Sequence, residues 1–282
     1  MQENHKYNIY MFIATIFFGM TYVLTKICLN YSTEFHIISF RFLIAFIVSL
    51  IFLQKKIFPI KIKEFIYSLI LSIILFLVFI TMTIGVKYTT ATNASFLISL
   101  SVIFIPFFSW IFNKEKPKKN IFVVLIIALI GIMLLTLDKN LELHIGDILC
   151  LICSLLFSFH IIITERFVRN NNPVTLGVLQ FGGVAILSFL VQYPIEKFSL
   201  PKNENFWISL LILSVFCTAL AYIIQTVSQK KLSSTLVGFI LSLEPIFSGI
   251  FGYFILNEYL SFQQYVGAFL LLISVIYVSV KN

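Results

Sequence analysis

Hydrophobic residues in this chain fall in ten long runs, roughly 8–29, 36–54, 65–86, 92–112, 121–137, 145–166, 174–193, 206–228, 234–256 and 262–280, separated by short polar connections. A helix that spans hydrocarbon needs about 20 mostly apolar residues. An unpaired backbone group in lipid costs several kcal/mol, so runs of this kind are expected to be helices. They use up nearly all of the chain and leave no room for a soluble catalytic domain. Whatever the protein does, it is expected to do inside a membrane. The first run has no small-residue cleavage site and is expected to stay as a spanning helix.

The polar connections set the expected orientation. Lys55, Lys56, Lys61 and Lys63 follow the second run, and Lys114, Lys116, Lys118 and Lys119 the fourth. Arg166 and Arg169 follow the sixth, and Lys230 and Lys231 the eighth. If ten helices alternate, these loops share one side, while the other side holds acids such as Asp138, Glu142 and Asp147. That is the positive-inside pattern, and it places both termini in the cytoplasm and the chain in the cytoplasmic membrane. The formal net charge of +8 is therefore read as topology, and no nucleic-acid partner is expected. Composition agrees: only 11% of residues are charged, against about 25% in a soluble domain.

The two halves of the chain resemble each other. Residues 87–115 lie on 230–258 without a gap, so that Lys87 meets Lys230, Ser99 and Leu100 meet Ser242 and Leu243, and Glu115 meets Glu258. Residues 15–42 lie on 154–181, where Phe18 meets Phe157, Thr21 meets His160, and Arg41 and Phe42 meet Gln180 and Phe181. Both alignments give halves of five helices, with boundaries at 1–140 and 141–282. Five is odd, so the second half must enter the membrane in the opposite sense. Inverted repeats with a site between them at mid-membrane belong to secondary transporters.

The stretch LSLEPIFSGIFGYFILNE at 241–258 carries the most specific motif, a Leu-Glu-Pro element with a second Glu 14 residues later. Together with SFRFLIA at 39–45, VKYTTATNASFLISLSVIFIPFFSW at 86–110, GDILCLICSLLFSFHIII at 146–163 and AYIIQTVSQKKLSSTLVGFILSLEP at 221–245, it resembles the EamA-type transporters of the drug/metabolite transporter superfamily. The resemblance covers nearly the whole chain. It implies an all-α integral membrane fold of ten transmembrane helices in two inverted five-helix repeats. Helices 1, 3, 4, 6, 8 and 9 would surround a central cavity, and helices 5 and 10 would be peripheral. It also implies secondary transport, commonly export, of small organic metabolites such as amino acids by alternating access. One departure is that the first repeat has Ser101 and Val102 where the second has Glu244 and Pro245.

Polar residues inside the runs are the candidate chemistry. Glu244 lies about 16 Å along the ninth helix, and an ionisable group at that depth is a functional candidate by default. Two readings stand for Glu244 with Pro245. One is proton coupling or gating. The other is a structural bond to backbone freed by the proline, which has no N–H to donate. His160 can exchange protons near neutrality and aligns with Thr21, so both could line the cavity; bonding to a neighbouring helix is the alternative. Tyr222, Gln225 and Gln229 share one face of the eighth helix through spacings of three and four. Asn93, Ser95 and Ser99 form a partial stripe on the fourth. Phe96 and Phe157 would add apolar walls. Interhelical hydrogen bonding is the competing account of these stripes.

Lys26, Arg41 and Lys87 are read as interfacial anchors near outer helix ends, where long basic side chains snorkel to water; for Arg41, which opens the second helix, pairing with an acid is the alternative. Glu115 and Glu258 would pair with basic loops, and Pro106 and Gly249 are expected bend points. Cys150 and Cys153 form a C-x-x-C on a helix without further ligands and are read, with Cys28 and Cys217, as packing residues. No phosphate loop, no H-E-x-x-H and no paired catalytic set is present, so neither ATP hydrolysis nor another enzymatic activity is expected. No cofactor and no metal are expected. The partners are a small-molecule substrate and the bilayer, with a proton as candidate coupling ion. The sequence leaves open an uncoupled facilitator or exchanger, a non-transporting membrane sensor or assembly protein, and a monomer or homodimer.

Overall fold

A computed structural model of the chain describes residues 2–114, 119–136, 144–195, 200–259 and 261–281. Glu115, Lys116, Lys118, Asp138 and Glu142 lie outside the described residues. The described residues are helical, with no strand among them. Eight helices among them are long and apolar enough to cross a membrane: His5–Leu29, Glu34–Ile57, Ile62–Tyr88, Ala91–Phe112, Ile145–Val168, Pro173–Ile195, Glu204–Gln229 and Ser234–Leu256.

Three of these spans are interrupted. The uninterrupted helices are α1 (Gln2–Leu29), α2 (Glu34–Ile57), α3 (Ile62–Tyr88), α7 (Ile145–Val168) and α8 (Pro173–Ile195). The fourth span is two pieces, α4 (Ala91–Ser99) and α5 (Ser101–Asn113). The seventh joins α9 (Glu204–Ser214) to α10 (Ala221–Gln229) through a π-helical stretch, Val215–Leu220. The last is α11 (Ser234–Leu241) and α12 (Glu244–Phe251), with a second π-helical stretch, Gly252–Leu256. Two further helices, α6 (Lys119–Thr136) and α13 (Phe262–Lys281), lie against each other.

The breaks do not fall at Pro106 and Gly249, where the sequence suggests bends. They fall a turn or more earlier, and the two have the same hydrogen bonding. Leu100 N donates to Leu97 O (3.2 Å) and Ile103 N to Leu100 O (2.9 Å); Leu243 N donates to Ile240 O (3.2 Å) and Ile246 N to Leu243 O (3.1 Å). These are tight i→i+3 turns of the 3₁₀ type. Pro245 sits in the first turn of α12, where its missing N–H costs nothing because that turn has no intrahelical acceptor. The helix therefore restarts around the proline instead of kinking beyond it. These two spans also each begin with a side-chain cap: Thr90 Oγ1 accepts from Asn93 N (3.1 Å) and Ser233 Oγ from Leu236 N (3.4 Å).

The interior is rich in small and hydroxyl residues, and the outer surface is apolar. Ser68, Ser72, Ser154, Ser158 and Ser188 are buried, while Ile51, Phe52, Ile186, Leu190, Ile208 and Phe254 are exposed. Hydroxyls return their bonds to helix carbonyls: Ser72 Oγ lies 2.7 Å from Ser68 O and 3.1 Å from Gln180 O. Without a hydrophobic drive between helices in lipid, close backbone approach is what holds them. Gly85 and Gly146 bring α3 and α7 together so tightly that a Cβ on Gly146 would stand 2.9 Å from Gly85 O.

Candidate functional site

The helices close around a chamber lined by Phe18, Thr21 and Tyr22 of α1, Arg41 of α2, Val78, Phe79 and Met82 of α3, Ile98 of α4, Cys153 and Phe157 of α7, Tyr222 of α10 and Glu244 of α12. Its volume is about 20 Å³, room for a water but not for an organic metabolite. The protein is thus described in a closed form.

Glu244 stands at the break in the last span and is buried. Its Oε2 accepts from Tyr22 Oη at 2.9 Å, and its Oε1 has no partner among the described residues. Gly19 makes this possible. A Cβ at Gly19 would lie 2.9 Å from Glu244 O and 2.6 Å from Phe247 Cβ, so only glycine lets α1 cross the break closely enough for Tyr22 to reach the carboxylate.

Arg41 lies seven residues into α2 and is only 1% exposed. It is not at an interface, and the anchoring expectation fails for it. Its Nε donates to Thr218 Oγ1 (2.6 Å), and its Nη2 lies 3.5 Å from both Thr21 Oγ1 and Cys217 O. The guanidinium carbon sits 4.5 Å from the centre of the Phe79 ring, a cation–π contact. Lys26 does not snorkel either: its Nζ donates to Val86 O (2.8 Å), Lys87 O (3.2 Å) and Thr89 O (2.6 Å), which caps the C-terminus of α3. Lys87 does reach the surface and pairs with Glu34 at 2.5 Å.

The remaining candidates divide. Thr21, Phe157, Tyr222 and Glu244 face the chamber. His160 is fully buried just behind it, its ring 6.5 Å from that of Phe157 and 6.3 Å from that of Tyr222. Its Nε2 lies 3.1 Å from Gln180 Oε1 and its Nδ1 has no partner. Gln225 Nε2 lies 3.5 Å from Gln229 Oε1, and Gln229 in turn bonds Ile161 O at 2.8 Å. Ser99 Oγ bonds Ser95 O (2.8 Å), and Asn93 is half-buried in the first turn of α4. Phe96 and Pro245 line a separate lateral crevice of about 250 Å³, with Ile246, Gly249, Tyr253 and Tyr265 among its walls. Eight of the twelve chamber residues were not nominated from the sequence, Arg41 and Tyr22 among them. A usable signal existed for Arg41, which aligns with another polar residue, Gln180; none existed for Tyr22.

Two carboxylates hold the starts of the broken spans. Glu258 accepts from Ala91 N and Thr92 N, each at 3.1 Å, and from Thr92 Oγ1 at 2.6 Å. It bonds the helix start rather than a basic loop. Glu165 does the same for α11, accepting from Ser234 N (3.0 Å) and Ser234 Oγ (2.5 Å), while Arg169 bonds its other oxygen at 2.7 Å.

The sequence model of the EamA-like transporter family matches residues 5–137 and again 144–280. The chain belongs to that family. EamA-like relatives include an uncharacterized transporter of Archaeoglobus fulgidus, 34% identical, with the match covering 95% of this chain and 84% of that one. A second from the same organism is 25% identical over 99% of both chains. The uncharacterized transporter YyaM of Bacillus subtilis is 23% identical over 95% of this chain and 92% of its own. One crystal structure shares the fold with a TM-score of 0.80, covering 98% of this chain and 97% of its own at 15% identity. The protein is therefore a multi-pass membrane transporter of the EamA-like family with a small-molecule substrate.

Proposed function

We propose that this chain is a secondary active transporter of small organic metabolites, amino acids or related solutes, working by alternating access in the direction of export across the cytoplasmic membrane. Ten spanning helices form two inverted repeats, 1–140 and 141–282, with α6 and α13 as the fifth and tenth spans and both termini cytoplasmic. The solute binds in the chamber between the halves and is carried without enzymatic conversion. The chamber itself carries this reading. It is buried and lined from both halves, and it sets Thr21, Tyr22, Arg41, Tyr222 and Glu244 among apolar side chains.

Several observations support the repeat. Exchanging span one with six, two with seven, and so on returns the packing scheme to itself. The third–sixth contact becomes eighth–first, third–seventh becomes eighth–second, and first–ninth becomes sixth–fourth. The second–seventh, fourth–ninth and fifth–tenth contacts map to themselves. The breaks at Leu100 and Leu243 correspond, and so do the Arg41–Thr21 and Gln180–His160 hydrogen bonds. Depth supports the site: Glu244 follows Ser233 by a helical rise of about 16 Å, half of a hydrocarbon core of about 30 Å. Direction and orientation rest on the family resemblance and the basic loops.

Glu244 is the proposed coupling residue, because one oxygen is held by Tyr22 and the other has no partner among the described residues. Counterflow in proteoliposomes, with radiolabelled amino acids, nucleosides, sugars and organic cations, tests transport without assuming a driving ion. Uptake of one class above empty liposomes is expected. With that solute, Glu244→Gln should lose accumulation driven by a pH gradient by a larger factor than it loses counterflow. Unchanged gradient-driven accumulation would remove Glu244 from coupling, and no flux of any class by folded protein would overturn the transporter reading.

A further inference from the structure

We infer that Arg41 docks the carboxylate group of the transported solute, which makes the substrate class a small carboxylate-bearing molecule, with zwitterionic amino acids the best fit. The inference rests on the transporter reading and adds the residue that selects the substrate.

The argument starts from the cost of the charge. A buried ion is normally paired or strongly hydrogen-bonded, because desolvation otherwise disfavours it. Arg41 is 1% exposed. Its hydrogen-bond partners are all neutral: the hydroxyls of Thr218 and Thr21 and the carbonyl of Cys217. Among the described residues no carboxylate forms an ion pair with it, and Glu244, which lines the same chamber, is turned to Tyr22. A guanidinium has five N–H donors in a planar fork. The three bonds take Nε–H and both N–H groups of Nη2, so the two N–H groups of Nη1 remain for a ligand in the chamber that Arg41 lines. A carboxylate oxygen accepts a charge-assisted hydrogen bond from such a donor.

The fold itself does not require a cation there. The corresponding position in the second half is Gln180, which bonds His160 just as Arg41 bonds Thr21. A neutral amide therefore satisfies the same helix contact. The positive charge is an addition on one half only, and it faces the chamber. Glu244 supplies, on another wall, a carboxylate oxygen without a partner among the described residues. Between them stand the rings of Phe18, Phe79 and Tyr222, with Phe18 and Tyr222 edge to face at 4.8 Å. A carboxylate at Arg41, an ammonium at Glu244 and an apolar side chain against the rings complete the complementarity.

The experiment uses the full-length protein, purified and reconstituted, with radiolabelled leucine, threonine and phenylalanine, each set against its amide. Binding is read separately as the rise in melting temperature on adding each compound. Wild type should exchange and bind at least one acid while its amide is weaker on the order of a hundredfold, since a site built to hydrogen-bond a group rejects the analogue lacking it. Arg41→Gln should erase the difference between acid and amide. Arg41→Lys should keep the preference with a raised KM. Equal handling of acid and amide by wild type overturns the inference without any variant having to fold. An unchanged KM for the acid in Arg41→Gln also overturns it. Wild-type exchange of only nucleosides, sugars or cations would leave the transporter reading intact and remove this one. No exchange and no melting shift with any compound would overturn both.

Discussion

Glu258→Gln tests whether the carboxylate beyond the last broken span holds the start of the first. Both oxygens are engaged, Oε1 with Ala91 N and Oε2 with Thr92 N and Thr92 Oγ1. A hydrogen bond to a charged group contributes about 1.5–3 kcal/mol, and negative charge at a helix N-terminus adds about 0.3–1 kcal/mol. Glutamine keeps one acceptor oxygen and turns an NH₂ group toward an N–H donor. The net loss, for a half-buried group, is about 2 kcal/mol. At about 1.4 kcal/mol per factor of ten, the first turn of α4 should open roughly 30-fold more often. Hydrogen exchange read by mass spectrometry on a peptide covering 88–96 measures that opening in the purified protein, whatever it transports. Tyr259→Phe, at an exposed neighbour, is the control. Unchanged protection in Glu258→Gln, or an equal change in the control, would refute the assignment of Glu258 as the clamp on α4.

Glu165→Gln should have the matching effect at the other broken span, raising exchange at the start of α11 while leaving α4 protected; simultaneous loss at both ends would indicate general unfolding. Lys26→Met removes three bonds to the last carbonyls of α3 and should lower stability by about 2 kcal/mol, read as a lower melting temperature, with Lys26→Arg recovering part of it. Gly146→Ala drives a Cβ to 2.9 Å from the backbone of both Gly85 and Tyr88 and should cost about 1–3 kcal/mol by overpacking; a melting temperature equal to wild type would mean that the two helices have room to part. All four cysteines are free and buried, so a membrane-impermeant maleimide should label none in the closed form. Cys153 alone lines the chamber, and it should be the residue that labels when solute turnover opens the pathway.

The helices were legible because hydrocarbon leaves the backbone no other choice, and a run of apolar residues reports that constraint directly. The breaks were not. Pro106 is the conspicuous helix breaker in the fourth span, yet the chain breaks at Leu100, and its counterpart breaks at Leu243 around a proline that starts the next piece. Proline position alone does not say whether a helix kinks beyond the ring or restarts at it; tertiary contacts such as Gly19 against Glu244 decide that. Among the site residues, Glu244, Thr21, Phe157 and Tyr222 could be nominated from depth and spacing. Arg41 was misplaced because the snorkelling rule measures distance to a helix end and cannot see that other helices close over the side chain. The repeat alignment held the better signal. It pairs Arg41 with Gln180 and Glu244 with Ser101, so both charged residues of the chamber have neutral counterparts. If either charge served the packing of a half, its twin position would need an equivalent charge, and neither has one. The first half supplies a cation and the second an anion to a single small space. On the proposed alternating-access reading, a solute bridging both charges is held in a form wider than this one, whose chamber of about 20 Å³ has no room for it.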